Sequence, residues 1–143
     1  MAKTSELTAA YLATTYRIFL PTGVCELRIG VPCVALRNWL VDSDNQSWAV
    51  ITAHNPGSQP ADGERNAEQQ AQLEGELLEG NYEPYVASNV PDSDDWPAEE
   101  SCFVPDIAVE DACALAADYG QNAVVCGGAD GVPHLVWVED GEQ

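Results

Sequence analysis

"SWAVITA", residues 47–53, runs into "HNPGSQPADGERNAEQQAQLEGELLEGN", residues 54–81, and this junction decides the fold. The first piece is almost continuously apolar, the pattern of a strand covered on both faces, which places it at the centre of a sheet. His54, Asn55, Pro56 and Gly57 then supply turn chemistry. From about Asp62 to Glu79 the spacing predicts a helix, stopped by Gly80 and Asn81. At about 100° per residue, Asn66, Gln70, Leu73 and Leu77 fall on one side, which Ala71 and Leu78 widen. Glu68, Glu76 and Glu79 point the other way, toward water.

Upstream of this unit, Ser5 is placed to cap a first helix carrying Leu7, Ala10, Tyr11 and Thr14 on one face. "TYRIFL", "PTG" and "VCELRIG" read as strand, turn and partner strand, with Cys25, Leu27 and Ile29 directed inward. Pro32 suits the first turn of a short helix bearing Leu36, Trp39 and Leu40. Downstream, "EPYVASNVPDSDDWPAEE" is the least regular stretch and is expected to be a long loop with a short strand. "SCFV" is a brief strand. "VEDACALAADYG" is a helix with Ala112, Leu115, Ala116 and Tyr119 inside and Gly120 as its stop. "NAVVC" and "HLVWV" flank "GGADGVP" as a hairpin. The sum is a single α+β domain over residues 1–143. Its sheet is mixed or mainly antiparallel, with about four helices packed mostly on one face.

Charge narrows the function classes. The chain holds 24 Asp and Glu against 5 Lys and Arg, a net charge of −19. Met1 to Gly57 is balanced, so the whole excess lies downstream, where Arg65 is the single base. Such a surface repels phosphate backbones and anionic lipid, which excludes direct nucleic-acid binding and attachment to a membrane surface. Three sources of the acidity stay open: solubility, a salt-adapted origin, and imitation of a DNA backbone. The five cysteines are odd in number and lack CxxC spacing, which fits small core residues in a reducing compartment. MAKTSELTAA has no signal-peptide character, so a cytoplasmic location is expected.

Three clusters could carry chemistry. A buried strand ending in a polar turn before a helix collects free backbone N–H groups, and His54, Asn55, Arg65 and Asn66 sit at that junction. His54 is a potential base or donor, Asn55 both donor and acceptor, and Arg65 an anchor for a carboxylate. Ordinary Asn-Pro-Gly turn chemistry, with Arg65 paired to a neighbouring glutamate, accounts for the same residues. The second cluster, "DDWPAEES", offers Asp94, Asp95, Glu99 and Glu100, without the spacing of a calcium loop. The third is Gln121 and Asn122, between a helix end and a strand. No metal site, cofactor fingerprint or nucleophile elbow is present in the sequence.

"TAHNP", then "GERN", "WPAEES" and "YGQNAVV", in that order, resemble the domain of unknown function 3293 family, a group of small bacterial proteins. His54 stands where the family pattern has an aromatic residue, and Gly63-Glu64-Arg65-Asn66 shifts its usual Glu-Asn-Arg arrangement. The resemblance implies a shared fold and a shared site, and no activity. The reading that follows is a domain binding a small polar ligand or peptide through His54, Asn55, Arg65, Asn66, Glu99 and Gln121. The alternative is an acidic interaction protein that blocks a basic, nucleic-acid-binding partner through carboxylates such as Glu68, Glu76, Glu79, Asp94 and Asp95.

Overall fold

The computed structural model describes residues 8–53, 63–92 and 98–138. His54, Asn55, Asp94 and Asp95, together with Ser5 and Leu7, lie outside the described residues. A helical turn at 8–12 (α1) leads into β1 (Thr14–Leu20) and β2 (Gly23–Leu27), followed by α2 (Val34–Asp42) and β3 (Ser47–Ile51). Then come α3 (Gly63–Glu79), β4 (Tyr85–Pro91), β5 (Glu99–Pro105), α4 (Val109–Asp118), β6 (Ala123–Gly128) and β7 (His134–Trp137). Among the described residues, one seven-stranded sheet in the order β2-β1-β4-β5-β3-β6-β7 contains all the strands, and every pairing is antiparallel.

β3 lies between β5 and β6, as its apolar run requires. Its side chains alternate between two cores. Ala49 and Ile51 join Leu73 and Leu77 of α3, Ala112 and Ala116 of α4, Val104 and Val124. Trp48 and Val50 join Leu36 and Leu40 of α2, Ile18, Leu27, Phe103 and Val125. The helices are therefore divided between the faces of the sheet, α3 and α4 on one and α2 on the other, rather than packed mostly on one face. The reason is in the central strands: β3 and most of β5 and β6 are buried on both sides, and each side needs a cover.

The sheet curls around the α2 side. β1 and β7 are five places apart, roughly 24 Å if the sheet were flat. Yet Tyr11, just before β1, meets Trp137 of β7 edge to face with ring centroids 5.8 Å apart. The link between β2 and α2 is tied to the β6–β7 turn by Gly30 N–H to Pro133 O (2.8 Å) and Cys33 N–H to Gly131 O (3.0 Å). The result is a half-barrel with α2 in its concavity and α3 and α4 outside.

The stretch expected to be a long loop with a short strand holds β4, a strand of seven residues paired on both edges, to β1 and to β5. Ser88, Asn89 and Pro91 argue against a strand locally, and pairing on two sides overrides them. The helix expected to carry Thr14 ends earlier: Thr14 opens β1, its hydroxyl donating back to Ala10 O at 2.7 Å. Among the described residues, no helix is long and apolar enough to cross a membrane.

Candidate functional site

Antiparallel pairing brings the end of β3, the starts of β5 and β6, the end of β4 and the start of β1 to one end of the sheet. The N-terminal half of α3 is anchored there too. Gln70, 1% exposed, accepts the Ala53 N–H on Oε1 at 3.0 Å and donates from Nε2 to Cys102 Sγ at 3.3 Å. Asn66 lies one turn earlier on the same buried face. The hydroxyl of Thr52 donates to Glu100 O at 2.7 Å, locking β3 to β5 where the chain leaves the sheet.

On the concave face this end is polar. The register aligns Tyr16 with Asn89 and Asn89 with Glu99, and cross-strand partners share a face. Ser101 follows Glu99 on that face by the two-residue alternation of β5. Its hydroxyl, with Ser101 1% exposed, donates to Asn89 Oδ1 at 2.8 Å. The buried Tyr16 hydroxyl donates to Tyr11 O at 3.1 Å. Burial first, then Tyr11 and Glu99, push the Tyr16 phenol well above its ordinary pKa, so it stays a neutral hydrogen-bonding group. Deeper in the concavity, Ile18, Val50, Phe103 and Val125 are all apolar and buried. The mouth thus combines a row of hydroxyl, amide and carboxylate groups with Tyr11 and Trp137 beside it.

Of the residues singled out from sequence, the described ones, Arg65, Asn66, Glu99 and Gln121, share this end of the sheet and divide between its faces. Asn66 and the exposed Arg65 belong to α3, on the convex side. Glu99 belongs to the concave row. Gln121 follows Gly120, whose φ of +71° closes α4, and its side chain donates to Tyr119 O at 3.3 Å. Sequence reasoning missed Tyr16, Asn89 and Ser101. The detectable signal is a polar residue at an inward strand position, but the partners that bring 16, 89 and 101 together are far apart in the chain.

On the convex side, burial and then Glu100 raise the Glu74 carboxyl above its ordinary range. Burial likewise pushes Cys25 up to about 11 and Cys102 and Cys126 up to about 12. A nucleophilic thiol needs the opposite shift, so these three behave as inert core groups. Among the described residues, no group of three or more His, Cys, Asp or Glu could hold a metal ion. Of the acids weighed for a mimic surface, Glu68, Glu76 and Glu79 stand exposed on α3, and Glu76 accepts the Tyr119 hydroxyl at 2.8 Å.

A family model described as "Protein of unknown function (DUF3293)" matches residues 51–124, just over half of the chain. The matched segment runs from the last residue of β3 to the second residue of β6 and holds Asn89, Glu99 and Ser101, while Tyr16 lies outside it. No curated protein and no solved structure matches the chain.

Proposed function

The chain belongs to the DUF3293 family, and we propose that it binds a small polar ligand or a short peptide segment at the polar mouth of the half-barrel. The observation that carries this reading is the Tyr16–Asn89–Glu99 row, with Ser101 bonded to Asn89, where the concave face changes from apolar to polar. Barrel mouths with a few convergent polar groups beside aromatic rings are common ligand sites. In this reading Glu99 receives the ligand's donors, Asn89, held by the buried Ser101, takes either polarity, and Tyr11 and Trp137 supply an apolar side. Arg65 and Asn66 of α3 and Gln121 after α4 are further contributors in this reading, as are His54 and Asn55, which follow β3 in the sequence. Anionic phosphate is disfavoured there, since Glu64 occupies the first turn of α3 and Glu99 faces the mouth.

Thermal melts against a panel of amino acids, sugars, nucleosides and short peptides test the proposal, with Asn89→Ala, Glu99→Gln and Arg65→Ala alongside. A ligand at 100 times its Kd stabilises by about 2.7 kcal/mol, or about 5–10 °C in a chain of this size. A shift that Asn89→Ala and Glu99→Gln abolish supports the mouth as the site. A shift that survives both places binding elsewhere.

A further inference from the structure

At the opposite end of the strands, where β5 ends and β3 and β4 begin, an open cleft of ≈ 550 Å³ lies between the C-terminal ends of α2 and α3. Three aromatic residues, Trp39, Tyr82 and Tyr85, line it together with the carboxylates of Glu83 and Asp106. None of its lining residues is Lys, Arg or His.

Two independent features give this cleft a negative character, and its phenols respond to the first of them. The first is its own carboxylates, both exposed, in a chain of net charge −19. The second is the helices. Ser43 and Asn45 follow α2, Gly80 and Asn81 follow α3, and all four line the cleft. A helix C-terminus carries about half a negative charge, ordinarily offset by a basic residue in the last turn. Neither α2 nor α3 has one. The phenols respond to the carboxylates: after burial, Asp111 and Asp106 raise Tyr82, and Glu83 raises Tyr85. Aromatic rings add a preference of kind, because their faces attract organic cations. Trp39 is held for this by edge contacts to Tyr85 (5.6 Å) and Phe103 (5.8 Å).

We infer that this cleft is a second site, one that takes an alkylammonium or guanidinium cation between the Trp39, Tyr82 and Tyr85 rings and the Glu83 and Asp106 carboxylates. The cation is either a free amine or the side chain of a lysine or arginine in a peptide. A hard metal ion is the poorer fit, since it wants several converging oxygens and the aromatic lining supplies few.

NMR titration of the full-length, ¹⁵N-labelled protein tests the inference, with agmatine and N-acetyl-arginine amide as probes and glucose as the neutral control. The expected result is saturable shifts at the Trp39 indole and at the amides of Asn81, Tyr82, Glu83 and Asp106, with none from glucose. Agmatine and the arginine derivative acting alike would assign recognition to the cationic group itself. Response to the derivative alone would assign it to a peptide-borne side chain. Glu83→Gln with Asp106→Asn alters two exposed side chains, and Asn tolerates the φ of +65° at 106. This double variant should weaken binding by about fivefold, the scale of two exposed ion pairs. No saturable shift from either cation, equal shifts from glucose, or unchanged affinity in the double variant would overturn the inference.

Discussion

Tyr11 and Trp137 meet edge to face at 5.8 Å, joining the segment before β1 to the far edge strand β7. This contact closes the curl of the sheet and forms one side of the polar mouth. Tyr11 also receives the Tyr16 hydroxyl on its carbonyl, so the same segment orients a member of the polar row. Tyr11→Ala should cost about 1–3 kcal/mol, adding a lost ring pair to lost burial. Urea unfolding measures that loss. The ligand response should weaken beyond it, because the mouth loses a wall.

Gln70 is the polar pin between α3 and the sheet. Gln70→Leu keeps the volume but leaves the Ala53 N–H without its acceptor. The expected loss is about 1–3 kcal/mol, the cost of an unsatisfied buried donor, seen as a lower midpoint in urea. Hydrogen exchange of the Ala53 amide should accelerate in the variant and identify the lost bond directly.

Gly127 has no room for a side chain. A Cβ there would collide with the Trp48 indole, lying 2.7 Å from Cε2, and would sit 2.7 Å from Val132 O. Trp48 cannot yield easily, being 1% exposed and donating from Nε1 to Gly128 O at 3.0 Å. Gly127→Ala should therefore destabilise by about 3 kcal/mol, the upper range for an overpacked core. Gly75→Ala is the control, since nothing lies near its added methyl. It should be neutral or stabilising, helped by helix propensity.

Arg28 grips Asp92 with both nitrogens, at 2.8 and 3.0 Å, and that hydrogen bonding holds the Asp92 carboxyl below its ordinary range. A carboxyl with a lowered folded pKa binds fewer protons folded than unfolded. Its contribution is present above the ordinary carboxylate pKa and is lost as pH falls through the folded value. Asp92→Asn should lower the urea midpoint at pH 7, and the difference from the parent should shrink as pH falls below the ordinary carboxylate range. Comparing the variant with the parent at each pH removes the larger effect of discharging the other acids.

Local signals made much of this fold readable. The apolar run at 47–53 put β3 in the centre, and the wheel of α3 named Asn66, Gln70, Leu73 and Leu77, the four residues that are buried in it. What stayed hidden depends on partners distant in sequence. β4 is a strand because β1 and β5 pair with it, not because Ser88, Asn89 and Pro91 favour one. The division of helices between two faces follows from central strands buried on both sides, whereas the curl, reported by the Tyr11–Trp137 contact, is encoded by no periodicity. For the candidate site, the sequence marked the junction after β3, and Arg65, Asn66, Glu99 and Gln121 stand at that end of the sheet. The concave row was not legible, because Tyr16, Asn89 and Glu99 are neighbours only through two strand pairings.

The most direct test of the polar mouth is NMR mapping of any ligand that the melts select. The account predicts perturbations centred on Tyr16, Asn89, Glu99 and Ser101, lost in Asn89→Ala, with Trp39, Tyr82 and Tyr85 unmoved. Perturbations confined to the far cleft, or undiminished binding by Asn89→Ala and Glu99→Gln proteins that remain folded, would contradict it.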